Sequence, residues 1–271
     1  MLLDHRVAPA GICIIRECTL RGRPSTSKQV LAPGGPDLLF IRWILRILPE
    51  SVRIRIWARR ARSLSGKRYW DERALFFGPR AVLNLSHSEA EMADLTSLQE
   101  RTILAAVERY LPAGAARVLD FGCGPGRFAP MLLRIFAGTV ILMDPVFLLL
   151  SLIPTHPRAL RLQVSGPTVP LQTGSLDVVW VCLVLGGIAE EAVSETCAEL
   201  ERSLADGGLL ILIENTAALP SSRHWQFRGV SDYQTLFPRV ALTQVGGYTD
   251  SGKTISIMAG LKSAGRQAGS L

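Results

Sequence analysis

The sequence predicts an α/β fold: a doubly wound, mostly parallel sheet of seven strands, the last one antiparallel, with an N-terminal helical extension. Short apolar segments alternate with helical ones along the second half of the chain, a pattern typical of a parallel sheet covered on both faces. A glycine-rich turn directly follows the first of these apolar segments. Two final apolar segments predict a closing hairpin that adds one reversed strand.

The composition fits a folded protein with a substantial core, since 48% of the 271 residues are hydrophobic and 20% are charged. Every long apolar stretch is interrupted by charge or proline, and the first residues lack the basic region of a signal peptide. The five cysteines are scattered and never spaced as CxxC. This argues against a disulfide framework or a metal site and predicts a cytoplasmic location.

Composition divides the chain into zones. Residues 1–80 carry a net charge of +10 and the remainder −3, so the basic character belongs to the front. The predicted zones are a disordered leader (1–36), a basic amphipathic helical segment (37–65), a helical cap (66–112), an α/β core (113–262) and a flexible tail (263–271).

The basic segment is apolar but carries regularly spaced arginines. Pro49 predicts a break into two short helices. The arginines fall on one helical stripe, with tryptophans among the apolar positions: Arg42, Arg46, Arg53 and Arg60, with Trp43 and Trp57. This chemistry is typical of a helix on the inner membrane surface, and equally of a helix packed on the core with solvated arginines. RNA contact is a weaker third interpretation.

The elements of the cap and core follow in order. Ser88 and Glu91 predict a capping box before a helix that ends near Tyr110. Strands are predicted at 117–120, 139–144, 160–164, 176–183, 209–214, 239–245 and 254–261, helices at 128–136 and 190–205, and a turn at 246–253.

The segment VLDFGCGPGRFAPMLL carries the most information about function. Asp120 ends the first core strand, and Gly122, Gly124 and Gly126 follow at spacings of two. Glycines there let the backbone turn sharply and approach a ligand, and the helix that follows directs free amides at it.

With these glycines the sequence resembles the class I S-adenosylmethionine-dependent methyltransferases, over about residues 80–262. Asp144 closes the second strand 24 residues after Asp120, where the family's acidic residue takes the ribose hydroxyls. VPLQTGSLDVVWVCLVL looks like the family's fourth-strand block, with Asp177 at the start of that strand as a structural residue. LADGGLLILIE looks like its fifth strand, with Asp206 in place of the usual proline.

The resemblance implies a Rossmann-like fold and S-adenosyl-L-methionine as cofactor. The glycines would cradle the methionine part, with Asp120 near its amino group and Asp144 on the ribose. The family's adenine-binding Asp is absent, and Ser165 or the backbone near Gly166 stands at that place. The implied cofactor set is Asp120, Gly122, Cys123, Gly124, Gly126, Asp144, Ser165, Gly166 and Cys182.

The methyl acceptor is less constrained. The sequence after the fourth strand, VCLVLGGI, lacks the [DNS]-P-P-[YFW] tetrapeptide of enzymes that methylate planar amines, and many small-molecule relatives carry a His near Gly186 or Gly187 that is absent here. A hydroxyl acceptor needs a base, which must come from elsewhere. The candidate catalytic residues are His224, His87 and Glu214, and the candidate substrate residues are Trp225, Arg228 and Tyr233.

We therefore expect methyl transfer to an oxygen of a small molecule, a glycan or a modified peptide, or of a lipid-linked acceptor if the basic segment touches membrane. The alternatives are an RNA methyltransferase that uses the basic front as a phosphate grip, and a protein of this fold that binds the cofactor without catalysis. A nicotinamide oxidoreductase is disfavoured because its fingerprint needs G-x-G-x-x-G.

Overall fold

A computed structural model of the chain describes residues 12–15, 45, 47–88 and 90–264. The strands are β1 (Ile12–Ile15), β2 (Arg117–Phe121), β3 (Thr139–Asp144), β4 (Ala159–Val164), β5 (Leu176–Cys182), β6 (Leu204–Asn215), β7 (Thr243–Asp250) and β8 (Lys253–Leu261). The α-helices are α1 (Glu50–Arg60), α2 (Gly66–Phe77), α3 (Glu91–Val107), α4 (Ala129–Ile135), α5 (Phe147–Leu150), α6 (Glu190–Ser203) and α7 (Val230–Leu236).

The strands form one sheet in the order β1-β4-β3-β2-β5-β6-β8-β7. The five strands from β2 to β6 pair in parallel, and β8 runs antiparallel to both β6 and β7. The predicted mostly parallel sheet with its last strand reversed is confirmed. The chain crosses from β2 to opposite sides of the sheet through β3 and β5, so their carboxyl ends border a crevice of the kind in which α/β proteins bind ligands.

The core strands form because their apolar runs are buried on both faces. Val118 and Leu119 of β2 and Val178 and Val179 of β5 are fully inaccessible to solvent. Apolar side chains on the two faces form two separate clusters, one under α3 and α4 and the other under α6 and α7. The sheet therefore gives the ends of β2, β3 and β5 a rigid base.

An eighth strand was not predicted. Ile12–Ile15 pairs antiparallel with β4, with Ile12 opposite Val164. These residues fall in the predicted disordered leader (1–36), and their pairing with a sheet edge depends on β4, which lies far away in sequence. The rest of that leader and residues 265–271 of the predicted tail lie outside the described residues.

In the basic segment, α1 starts directly after Pro49, as predicted, and packs on α2. Trp57 is buried against Tyr69, Phe76 and Phe77, so its ring faces the protein. Arg42, Arg46 and Trp43 lie outside the described residues.

Both described members of the arginine stripe bind α2. Arg60 donates hydrogen bonds of 2.6 and 2.8 Å to the Glu72 carboxylate, and Arg53 bonds the carbonyl of Phe76. Of the helices in the described part of the chain, none combines the length and the apolar character that crossing a bilayer requires.

The predicted turn at 246–253 is wrong in its extent. Strand β7 continues to Asp250, and only Ser251 and Gly252 form the hairpin turn. Gly246 and Gly247 serve a different purpose: a Cβ on Gly246 would lie 2.9 Å from the Ala106 side chain of α3, and one on Gly247 would lie 2.8 Å from the Ile255 carbonyl. These glycines permit close packing within a strand.

Candidate active site

The glycine loop after β2 adopts the backbone that its sequence requires. Gly122, Gly124 and Gly126 have φ values of 71°, 55° and 75°, a region that favours glycine. The amides of Gly122 and Cys123 donate to the Met143 carbonyl at 2.8 and 3.0 Å. The loop is thereby fastened to the end of β3.

Asp144 completes this attachment. Its Oδ2 accepts a hydrogen bond from the Gly124 amide and its Oδ1 one from the Val146 amide, both at 2.8 Å. Burial raises the pKa of Asp144 to about 6, against the lowering effect of the two amides. The carboxylate is therefore mostly ionised at neutral pH and lines the cleft at the position predicted to bind a ribose.

Asp120 has the opposite environment. It is buried, and within the described residues no hydrogen bond reaches its Oδ2. Burial, together with the nearby Asp144 charge, raises the pKa of Asp120 to about 8. An orphaned buried carboxyl that lines a cleft requires a partner, and a ligand ammonium group would supply one.

The cleft above the carboxyl ends of β2, β3 and β5 has a volume of about 720 Å³. Its lining is mostly apolar, and helix α2 and the segment at 221–229 both contribute to its walls. The aromatic lining residues are Tyr69, Trp70, Phe121, Phe128, Trp225 and Phe227. Such a site excludes water from a reacting centre.

Four further residues of the predicted cofactor set can be compared with the lining of the cleft. Cys123, Cys182 and Gly166 line the cleft, whereas Ser165 is exposed and does not. No grouping of His, Cys, Asp and Glu among the described residues could hold a metal ion.

His224 lies in the cleft wall. Its ring stacks on Tyr69 with centroids 3.9 Å apart, and its Nε2 lies 3.0 Å from the Ala61 carbonyl oxygen. Because a carbonyl only accepts, Nε2 must carry the proton, which leaves a lone pair on Nδ1. Burial lowers the pKa of His224, so the ring is neutral at physiological pH.

His87 does not itself line the cleft. Its Nε2 lies 2.8 Å from Oδ1 of Asp250, and the Asp250 side chain lines the cleft. The pair joins the loop before α3 to the end of β7. The capping box predicted beside it is confirmed, since Ser88 and Glu91 exchange hydrogen bonds of 2.6 and 3.3 Å.

The structure does not bring Glu214 into the cleft. Its carboxylate accepts from the successive amides of Val184, Leu185 and Gly186 at 2.7, 2.6 and 3.4 Å, and burial raises its pKa to about 7. Glu214 thus holds the turn after β5, in which Leu183 adopts a φ of 57°. The next residue, Asn215, lines the cleft instead.

The proposed substrate residues separate in the same way. Trp225 lines the cleft, and its ring occupies the space beside Gly186, where a Cβ would lie 2.4 Å from it. Arg228 is buried, donates to the Leu185 carbonyl at 3.0 Å and pairs with Glu190. Tyr233 belongs to α7 and is fully buried in the apolar cluster that also includes residues of α6. Neither Arg228 nor Tyr233 lines the cleft.

Asp177 is structural, as predicted. Its Oδ2 accepts from the amides of Ala116 and Arg117 at 2.7 and 2.8 Å, which places it at the amino end of β5, away from the cleft.

The sequence analysis missed the cations that line the cleft, among them Arg127 and Lys253. Arg127 directly follows the glycine loop and donates to Thr96 and Gln99 at 3.1 and 2.5 Å. Lys253 begins β8, and its ammonium lies 5.9 Å from the centre of the Phe227 ring. Neither belongs to a motif with a stated role, although the position of Arg127 beside the loop is a signal that could have been used.

Comparison with known proteins supports the cofactor. Residues 119–212 match the sequence model of a family described as "Methyltransferase domain". This range includes Asp120, the three glycines and Asp144. A search of curated protein sequences gives no match.

Solved structures share the fold at low identity. Phosphoethanolamine N-methyltransferase 2 of Haemonchus contortus, in complex with phosphomonomethylethanolamine and S-adenosylhomocysteine, has a TM-score of 0.55 and 11% identity, over 74% of this chain and 61% of that one. A methyltransferase of Haloferax volcanii, in complex with the Trm112 activator, has a TM-score of 0.53 and 16% identity, over 65% and 95%. A geranyl diphosphate methyltransferase in complex with GPP and sinefungin has a TM-score of 0.50 and 12% identity, over 61% of this chain and 78% of that one.

Proposed function

The chain carries a class I S-adenosylmethionine-dependent methyltransferase domain, and from that premise we propose that it methylates a hydroxyl oxygen of a small molecule, a glycan or a modified peptide. The observation that carries the oxygen assignment is the neutral His224 in the cleft wall, with its Nδ1 lone pair free among the described residues. A hydroxyl is a weak nucleophile until a base takes its proton.

The cofactor, when bound, supplies an electrophilic methyl group on a sulfonium sulfur. The residues present fit it, because Asp120 offers an unpaired carboxyl beside the glycine loop and Asp144 an ionised one at the end of β3. Arg127, with only neutral hydrogen-bond partners, is suited to bind the carboxylate of the methionine part. Asp144 would take the ribose hydroxyls without releasing its amides, because each carboxylate oxygen can accept more than one hydrogen bond.

His224 has what a general base needs. The Ala61 carbonyl fixes its tautomer, the Tyr69 ring fixes its plane, and burial keeps it unprotonated. The role of the chain in the transfer is then to hold the acceptor oxygen in line with the methyl group, exclude water and receive the hydroxyl proton at Nδ1.

Trp70, Trp225 and Phe227 support an acceptor with a flat or apolar body. Trp70 and Trp225 stand against Gly187 and Gly186, so these glycines make room for the aromatic wall where many relatives of the predicted family carry a His. A base supplied from 221–229 is consistent with that replacement.

The oxygen assignment is tested by incubating the protein and S-adenosylmethionine with acceptors that differ only in the nucleophilic atom. These acceptors are 4-hydroxybenzoate, 4-aminobenzoate and 4-mercaptobenzoate. Formation of S-adenosylhomocysteine is followed, and the product is identified by mass and NMR. Transfer to the hydroxyl that exceeds transfer to the amine supports the proposal. Preferential N-methylation, or no binding of S-adenosylmethionine to the folded protein, would contradict it.

A cytoplasmic location with peripheral membrane contact stays a proposal. Arg55, Arg59 and Ile56 are exposed on α1, and Ile47 is exposed just before it. This pairing of cationic and apolar side chains suits the surface of an anionic bilayer.

A further inference from the structure

The cleft contains positive charge that the protein does not neutralise locally. Among the described residues, three lining cations have no carboxylate partner within ion-pair distance. Arg73 bonds only the carbonyls of Ala81 and Leu83 and the Tyr69 hydroxyl, and Arg127 bonds only neutral side chains. Lys253 is the third.

Lys253 is the least engaged of the three. Its ammonium has no hydrogen bond or ion pair within the described part of the chain, and its only close partner is the face of Phe227 at 5.9 Å. The lysine is half-buried in the cleft wall at the start of β8. An ammonium held there without an acceptor is available to a ligand.

None of the described acids of the cleft pairs with these cations. Burial keeps Asp120 largely protonated at neutral pH, since its pKa is about 8. Asp144 is ionised but bonds two amides, and Asp250 bonds His87. S-adenosylmethionine itself carries one net positive charge, from its sulfonium and ammonium groups and its carboxylate.

We propose that the acceptor carries an anionic group, a carboxylate or a phosphate ester, which binds the Lys253 ammonium while the body of the acceptor lies against Trp225 and Phe227. Arg127 lies at the glycine loop, where it is suited to bind the cofactor. Arg73 already donates hydrogen bonds to two backbone carbonyls and to the Tyr69 hydroxyl. Lys253 is therefore the cation that remains for the acceptor. The inference rests on the proposed function, because it assigns the substrate class of the same cleft.

The experiment is a calorimetric titration of the full chain, saturated with S-adenosylhomocysteine, at low ionic strength. The probes are 4-hydroxybenzoate, phenyl phosphate and uncharged phenol. We expect the better of the two anions to bind about tenfold more tightly than phenol, and added salt to reduce this preference. Comparison of the two anions tells which source of negative charge the site prefers.

Variants locate the effect. Lys253→Gln is expected to lower the affinity for the anions about tenfold and leave phenol unchanged, and Lys253→Arg to retain the preference because it keeps the charge. Arg68→Gln is the control, since it removes a positive charge from the exposed face of α2, where Arg68 is 72% exposed. It should leave every affinity unchanged.

Equal binding of anions and phenol, no binding of either anion at millimolar concentration, or an anion preference that survives Lys253→Gln would overturn the inference. Saturating the protein with S-adenosylhomocysteine is itself followed by calorimetry, and this first titration distinguishes failure of the acceptor assignment from failure of the proposed function. If the cofactor product binds and the anion preference is absent, only the acceptor assignment is wrong. If the cofactor product does not bind, the proposed function itself fails.

Discussion

Asp144 accepts a hydrogen bond from the amide of Gly124 at 2.8 Å, so the acid at the end of β3 holds the middle of the glycine loop. Asp120, at the end of the neighbouring strand, has one oxygen without any hydrogen bond among the described residues. The two acids therefore have different roles: Asp144 holds the glycine loop, and Asp120 has an oxygen that is available to a ligand. Their substitutions should have opposite effects on stability.

Asp144→Asn should destabilise the protein without ligand. The amide oxygen can replace one carboxylate oxygen, but the NH₂ group then faces a backbone N–H of Gly124 or Val146. We expect the free energy of unfolding to fall by about 1–2 kcal/mol. Affinity for S-adenosylmethionine should fall as well. Urea unfolding and calorimetry measure the two effects, and unchanged stability would contradict the loop-holding role.

Asp120→Asn should raise the stability of the protein without ligand and lower its affinity for the cofactor. A carboxyl whose pKa is about 8 when folded and near 3.8 when unfolded holds its proton longer in the folded state. The wild type therefore loses stability as pH rises between these values, and the loss is complete above pH 8. The asparagine variant lacks this loss, so its advantage should vanish near pH 4 and grow to several kcal/mol at pH 9, because each pKa unit of difference corresponds to about 1.4 kcal/mol.

The check is the urea midpoint of the two proteins at pH 5, 7 and 9. Asp144 titrates in both, so the difference between them mainly reports Asp120. A difference that does not grow with pH would show that Asp120 has a partner in the unliganded protein.

Local patterns were sufficient to predict much of the fold. The apolar runs of β2, β3 and β5 and the glycines between them depend on neighbours in sequence, and these elements were predicted to within about two residues. Gly246 and Gly247 were wrongly assigned to a turn, because the reason for a glycine at these positions is a close contact with residues distant in sequence. These contacts are with Ala106 and with the backbone of Ile255. A sequence does not distinguish a glycine that turns the chain from one that admits a neighbour.

In the site, too, the predictions failed where a residue's role depends on the three-dimensional arrangement. Glu214 was expected in the cleft because it ends the fifth core strand, but strand residues alternate in direction, and Asn215 is the one that lines the cleft. Arg228 was a candidate substrate residue, but it is buried and pairs with Glu190. Lys253 has no motif, and its role depends on the ring of Phe227, which lies 26 residues earlier in sequence.

Arg127→Gln tests whether this guanidinium binds the methionine carboxylate. We expect affinity for S-adenosylmethionine to fall about 10- to 100-fold, because a charge-assisted hydrogen bond is lost in a half-buried site. Decarboxylated S-adenosylmethionine has no carboxylate to lose, so its affinity should not change. Arg134→Gln, on the exposed face of α4 and 60% exposed, is the matched control. An equal loss for both ligands would place Arg127 in a structural role.

The exposed arginines of α1, and not those of the original stripe, should govern any membrane contact. Arg55→Gln with Arg59→Gln is expected to reduce binding to vesicles of anionic phospholipid roughly thirtyfold, since each cation contributes about 1 kcal/mol near such a surface and the two together about 2 kcal/mol. Arg101→Gln with Arg134→Gln removes the same charge elsewhere. Equal flotation of the two double variants, or none by the wild type, would exclude α1 as a membrane contact.

His224→Gln tests the base. Burial lowers the pKa of His224, so the neutral, proton-accepting form persists below the usual value of 6.5, and the wild-type rate should fall only as pH drops through that lowered pKa. The variant can still donate to the Ala61 carbonyl but accepts no proton. We expect kcat to fall about 100-fold, and this acid limb to disappear from the pH profile.

The measurement uses the hydroxylated acceptor that turns over in the matched panel, from pH 5 to 9. His156→Gln is the control, because His156 lies outside the cleft, where its Nδ1 accepts from the Arg158 amide at 3.2 Å. A purely structural His224 would change KM or stability and leave the acid limb in place. Retention of that limb in His224→Gln would therefore assign the base to another group, and Asp250, which lines the cleft and pairs with His87, is the next candidate.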